Sequence, residues 1–127
     1  MNPFAPFDAQ VVETAAAGSD LTPAALRAAL QRLHEHAAAT PGIDELVMEW
    51  RRFLPYDVLV ARTEDAYYLA VADSVWSEFA DQLGLTDAEL AALRTLHERQ
   101  TRRTLRAHDG PDSPDALDER AALVLAR

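Results

Sequence analysis

The chain of 127 residues carries a formal net charge of −9, with 49% apolar and 26% charged residues and no cysteine. This length and composition predict one folded domain rather than a disordered chain. The missing cysteine excludes disulfides, thiol catalysis and thiolate metal sites. The acidic total argues against a protein that binds nucleic acid over its whole surface.

No apolar run is long enough for a transmembrane helix, and residues 1–7 lack the charged and apolar regions of a secretory signal. We therefore expect a cytoplasmic protein without a membrane partner. All 12 basic residues are arginine, and aspartate outnumbers glutamate. This usage suits a cytoplasm of high salt concentration, although codon bias alone also explains the arginine.

The first half of the chain predicts three helices. Asp8 is placed to cap the first, and Thr22, followed by a proline, is placed to cap the second. Apolar residues recur at helical spacing over 26–37 and again over 43–54, where Pro55 ends the third helix.

Residues 57–72 favour a β-hairpin. Two runs rich in β-branched and aromatic residues, 58–62 and 67–71, flank a short polar turn at 63–66. The alternative is one long helix, because apolar residues also recur at helical spacing from Leu69 through Trp76 and beyond it.

A helical hairpin is predicted next. Gly84 can end a helix that begins near Asp73, and Thr86 with Glu89 forms a capping box for a helix over 87–107. The pair resembles a helix-turn-helix. DNA reading by it is disfavoured, because Asp87 and Glu89 would face phosphates and no arginine or amide side chain occupies the reading positions.

The chain end predicts a separable element. Residues 108–112 have turn composition, and Ser113 with Pro114 favours the start of a last short helix with apolar positions up to Leu125. We therefore predict a helical core domain over 1–108 and, over 109–127, a turn followed by a C-terminal helix.

The fold class expected from these elements is mainly α within α+β: a compact bundle of five to six helices with one β-hairpin near 57–72. A lone hairpin is marginal in water, so it must pack on the helices. The predicted core consists of Leu26, Leu30, Leu33, Leu46, Trp50, Phe53, Leu69, Trp76, Phe79, Leu83, Leu90 and Leu93.

Charge is segregated along the chain. Residues 1–93 carry a net −10, residues 94–108 carry +4, and residues 109–127 carry −3. The basic segment places four arginines on one helix face, where they form a candidate contact for an acidic partner or for nucleic acid: Arg99, Arg102, Arg103 and Arg106. The apolar stripe fades after Leu96, so this helix end is expected to project from the core. A solvated helix end is the simpler interpretation.

Other candidates for chemistry are weaker. Trp50, Tyr67 and Tyr68 form a candidate aromatic pocket, although such residues usually build cores. The histidine spacing predicts no metal site and no cofactor, with a site assembled from His34, His97 and carboxylates as the remaining alternative. No nucleophile or phosphate-loop motif is present, so the catalytic residues are unknown and an enzyme is less favoured than a non-enzyme.

The middle of the chain resembles small uncharacterised acidic proteins of halophilic archaea. The residues that carry the resemblance are Trp50-Arg51-Arg52-Phe53, Asp57, the segment from Val60 to Val71, Val75-Trp76 and Phe79. The resemblance implies a cytoplasmic protein from a high-salt cell and assigns no activity and no functional residue.

The sequence favours a non-catalytic protein-interaction module that binds a protein partner or forms a homodimer. The alternatives are a nucleic-acid-associated regulator that uses the arginine face, and a small enzyme or ligand binder that uses the aromatic pocket.

Overall fold

The structure is a computed structural model that describes residues 4–39, 42–54, 58–108 and 120–127, with the side chain of His108 excepted. Pro55, Asp57 and most of the predicted C-terminal turn and helix start, including Ser113 and Pro114, lie outside the described residues. The helices are α1 (Ala9–Ala17), α2 (Pro23–Ala38), α3 (Ile43–Phe53), α4 (Asp73–Leu83) and α5 (Asp87–His108), and the strands are β1 (Leu59–Arg62), β2 (Ala66–Val71) and β3 (Ala121–Ala126).

The predicted helix starts at α2 and α5 are confirmed by their hydrogen bonds. The Thr22 hydroxyl accepts from the Ala25 N–H at 3.1 Å. At α5, the Thr86 hydroxyl accepts from the Glu89 N–H at 3.1 Å, and the Glu89 carboxylate accepts from the Thr86 N–H at 2.9 Å. This reciprocal pair satisfies two N–H groups that a helix start leaves free.

The hairpin prediction is confirmed, and the long-helix alternative is wrong. β1 and β2 pair antiparallel, and the turn between them is held by the Thr63 hydroxyl, which accepts from the N–H groups of Asp65 and Ala66. The residues at this turn thereby obtain hydrogen-bond partners that the strands cannot supply.

The predicted C-terminal helix is wrong over residues 121–126, which form β3. β3 pairs antiparallel with β2, from Ala66 opposite Ala126 to Val71 opposite Ala121, so the sheet has the order β1-β2-β3. Every residue from Ala122 to Ala126 is buried. An unbroken apolar run of this length is typical of a strand that is buried on both faces.

Among the described residues, the second edge of β3 is covered by core side chains and not by a fourth strand. The indole Nε1 of Trp76 donates to the Ala122 carbonyl at 3.1 Å. The Val124 N–H donates to Nδ1 of His97 at 2.8 Å. These bonds satisfy backbone groups that an uncovered edge strand would leave free.

The core prediction is confirmed in part. Leu26, Leu30, Leu33, Leu69, Trp76, Phe79 and Leu93 are buried, whereas Leu46, Trp50, Leu83 and Leu90 are partly buried and packed against the core. Phe53 was wrongly placed there, because its side chain is 69% exposed at the end of α3. The sequence analysis missed the buried Phe7, Leu96, Leu123 and Leu125 and the two buried histidines, His34 and His97.

Candidate anion-binding groove

The predicted arginine face lines a groove between α1 and α5. Arg99, Arg102, Arg103 and Arg106 of α5 form one wall, and Gln10, Val11 and Thr14 of α1 form the other. The groove encloses about 610 Å³. The structure therefore brings the four predicted residues together and adds a second wall.

The helix end that carries these arginines does not project from the core, contrary to the sequence-based expectation. Gln100 and Thr101 are buried on its inner side. Leu105 packs against Ala70 and Ala122 of the sheet. The apolar stripe fades because polar side chains take over the inner face of α5, among them Gln100, which finds hydrogen-bond partners inside the fold.

Gln100 fixes the start of α1 against α5. Its Oε1 accepts from the Asp8 N–H at 2.9 Å, and its Nε2 donates to the Thr104 hydroxyl at 3.1 Å. Asp8 precedes α1 as predicted, but its side chain makes no capping hydrogen bond. One of its carboxylate oxygens lies 3.1 Å from Nε of Arg103 instead.

The arginines differ in how far their charge is compensated. Arg102 pairs with Glu98 at 3.2 Å, and Arg103 pairs with Asp8. Arg99 and Arg106 are exposed and form no ion pair within the described residues, and Nε of Arg106 donates to the Arg102 carbonyl. The groove thus holds two compensated and two uncompensated guanidinium groups.

Gln10 and Thr14 are groove residues that sequence reasoning missed. The Thr14 hydroxyl donates to the Gln10 carbonyl at 2.8 Å, so its oxygen remains available as an acceptor. Their one signal in the sequence is the spacing of four residues, which places both on one face of α1. Nothing local indicates that this face meets α5, because about 70 residues separate the two helices along the chain.

The structure does not bring Trp50, Tyr67 and Tyr68 to one cavity among the described residues. Trp50 is half-buried beside His36 and Phe79, in a cavity of about 380 Å³ whose lining includes neither tyrosine. The Tyr67 hydroxyl donates to the Asp44 carboxylate, a bond that raises the pKa of Tyr67. Tyr68 accepts from the Thr104 hydroxyl on α5, and burial raises its pKa. Neighbours on a strand point to opposite faces, which separates the two rings.

His34 and His97 come together in the core, as the alternative histidine site required. Their ring centroids are 6.4 Å apart, and the rings of Phe7 and Trp76 pack around His97. Burial lowers the pKa of both histidines, and the neighbouring His34 lowers that of His97 further. Within the described residues, no group of three or more histidine, aspartate or glutamate side chains is arranged to hold a metal.

The helical hairpin of α4 and α5 turns at Gly84, which adopts the predicted left-handed conformation with φ 65°. Asp87 and Glu89 lie in the first turn of α5, and Ala92 is buried. This end of α5 is therefore acidic, whereas the basic groove lies at its opposite end. None of the described helices is long and apolar enough to cross a membrane.

Comparison with known proteins identifies a family and no function. A family model described as a domain of unknown function, DUF8048, matches residues 5–127, so the chain belongs to this family. No curated protein matches the chain. No solved structure matches it either.

Proposed function

We propose that this member of the DUF8048 family is a non-catalytic interaction module whose α1–α5 groove binds an acidic segment of a partner protein. The observation that carries the proposal is the convergence of four arginines and the Gln10 side chain in one groove. Guanidinium groups bind carboxylates through paired hydrogen bonds, and Arg99 and Arg106 have no carboxylate partner among the described residues.

The overall charge of −9 favours binding of an acidic ligand at this groove over binding elsewhere on the surface. The rest of the surface repels an acidic ligand, so a basic groove concentrates such a ligand at one place. Screening at high salt also weakens contacts at hydrogen-bond distance, but less than it weakens longer-range attraction.

The alternative of a nucleic-acid-associated regulator uses the same groove, because phosphates and carboxylates are both bound by arginine. A duplex or an RNA strand extends beyond the groove, however, and would meet the acidic remainder of the surface. This charge distribution favours a short acidic protein segment. A cytoplasmic location in a high-salt cell is part of the same proposal and is supported by the resemblance and by the residue usage.

The proposal is tested by titrating the protein with a fluorescent oligo-glutamate peptide, and in parallel with a fluorescent DNA duplex. The variant Arg99→Glu/Arg106→Glu removes the two uncompensated cations and keeps the ion pairs of Arg102 and Arg103. We expect it to weaken peptide binding at least tenfold, since each lost charge-assisted hydrogen bond contributes about 1.5–3 kcal/mol.

The matched control is Arg51→Glu/Arg62→Glu, which changes the net charge equally at two exposed arginines outside the groove. Equal weakening by both variants would indicate a nonspecific charge effect and would overturn the groove as the site. Tighter binding of the duplex than of the peptide, lost in the groove variant alone, would instead support the nucleic-acid alternative.

A further inference from the structure

The outer face of α3 exposes two large apolar side chains among acidic ones. Met48 is 61% exposed and Phe53 is 69% exposed. They line a shallow cavity of about 500 Å³ together with Asp44, Glu45, Glu49 and Arg52, and we call these six residues the α3 patch. A contiguous exposed apolar surface with a charged rim is typical of an interaction site.

The charges of the α3 patch are only partly compensated. The Asp44 carboxylate accepts from the Tyr67 hydroxyl, and the Arg52 guanidinium lies 6.0 Å from the centre of the Phe53 ring. The side chains of Glu45 and Glu49 are exposed and make no hydrogen bond or ion pair within the described residues. The patch therefore offers two free carboxylates, one helical turn apart, beside Met48.

The α3 patch and the arginine groove complement each other in charge. Two free carboxylates in the patch correspond to two uncompensated guanidinium groups, those of Arg99 and Arg106, in a groove of about 610 Å³. The exposed Phe53 ring also provides a face on which a guanidinium can stack, as that of Arg52 does in the same chain. The aliphatic arginine stems and Val11 give the groove an apolar floor for Met48.

We propose that the α3 patch of one copy of this protein docks in the arginine groove of a second copy. The proposal rests on the proposed function, because it identifies the acidic partner segment as α3 of the same chain. The two surfaces differ, so the contact is heterologous. Each added copy then presents a free patch or a free groove, and assembly continues beyond a dimer unless the contacts close into a ring.

The test is the mass of the full chain in solution, measured by sedimentation across a range of protein and salt concentrations. We expect the average mass to rise with protein concentration and to fall as salt is added. The variants Glu45→Arg/Glu49→Arg and Arg99→Glu/Arg106→Glu should each be monomeric, because each lacks one of the two surfaces. The control Glu64→Arg/Asp81→Arg reverses two exposed acids outside the patch and should associate as the wild type does.

Mixing the two monomeric variants gives the sharpest outcome. The first variant retains its groove and the second retains its patch, so the mixture should associate although neither variant does so alone. A wild-type chain that stays monomeric at all concentrations would overturn the proposal. Self-association of each of the two charge-reversed variants, measured separately, would overturn it as well.

The outcome can be separated from that of the proposed function. The variant Glu45→Arg/Glu49→Arg keeps an intact groove and should still bind the oligo-glutamate peptide with the affinity of the wild type. A monomeric wild-type chain that binds this peptide would refute self-association alone. Failure of the peptide to bind would count against the function of the groove itself.

Discussion

His97 is the residue through which the end of the chain is held to the core. Its Nδ1 accepts from the Val124 N–H, so the ring proton of the neutral imidazole resides on Nε2. The ring is fully buried between the aromatic rings of Phe7 and Trp76. Protonation of Nδ1 would replace the acceptor with a second donor that faces the Val124 N–H, so the charged form of His97 is incompatible with this contact.

Stability should therefore depend on pH through the two buried histidines. Their pKa values lie below 6.5 in the folded chain and near 6.5 in the unfolded chain, so the unfolded state binds protons first as the pH falls. The free energy of unfolding should have its full value well above pH 6.5 and decrease as the pH falls through and below about 6.5. Urea denaturation at a series of pH values measures this slope.

This slope is tested with the variant His97→Gln, and His36→Gln is the control. The first should flatten the slope, because it removes a buried titrating ring. The second changes a partly exposed histidine of α2 that lies outside the buried pair and should leave the slope as in the wild type. An unchanged slope in His97→Gln would show that the acid sensitivity has another origin.

β3 shows at the scale of elements what local sequence patterns could and could not predict. The helix starts at Thr22 and Thr86 were predictable because the partners of those side chains lie within three residues. The spacing of apolar residues near the chain end fits a helix as well as a strand. Pairing with β2 favours the strand, because the second edge of β2, about 50 residues earlier in the chain, needs a partner.

The candidate site also has one part that the sequence predicted and another part that it did not. The four arginines share a helix face through their own spacing, so sequence alone predicted their common side. The wall formed by α1 and the anchor provided by Gln100 depend on contacts across 92 residues, and no local pattern encodes these contacts. Phe53 fitted the apolar stripe of α3, but this helix packs through Ile43, Val47 and Trp50, and Phe53 lies outside that face with its side chain exposed.

Removal of β3 should abolish folding. A chain that ends at Arg120 loses the strand that covers β2, and it leaves Trp76 Nε1 and His97 Nδ1 without their partners. We expect no cooperative thermal transition by circular dichroism. The milder variant Leu123→Ala should fold and lose about 2–4 kcal/mol of stability through the cavity it creates.

Arg127→Ala is the control for this prediction, because it changes the last residue and keeps all of β3. It should lose little stability, since the exposed Arg127 side chain makes one hydrogen bond, to the Thr63 carbonyl, and one contact with the Tyr67 ring. A truncated chain that still melts cooperatively would contradict the role assigned to β3.

At the scale of the whole molecule, the charge of −9 acts against the folded state by self-repulsion. Salt shortens the range of this repulsion from about 10 Å at 0.1 M to about 3 Å at 1 M. We expect the melting temperature to rise between these concentrations by roughly 3–5 °C, corresponding to about 1 kcal/mol. A variant with Glu13, Glu64 and Asp81 changed to their amides should gain less, and an equal gain would assign the effect to something other than charge.

Segregation of charge, rather than its total, underlies the account of function. In the proposed function, the acidic surface repels anionic ligands, and the four arginines between α1 and α5 attract an acidic segment. The central claim is that this groove is the binding site.

The most direct test is an NMR titration of the isotope-labelled chain with the oligo-glutamate peptide, at a protein concentration where the chain is monomeric. The account predicts amide shifts confined to residues 10–14 of α1 and residues 99–106 of α5, with the side-chain amide of Gln10 among them. Shifts centred on α3 or on the first turn of α5, or no shifts at all, would contradict it.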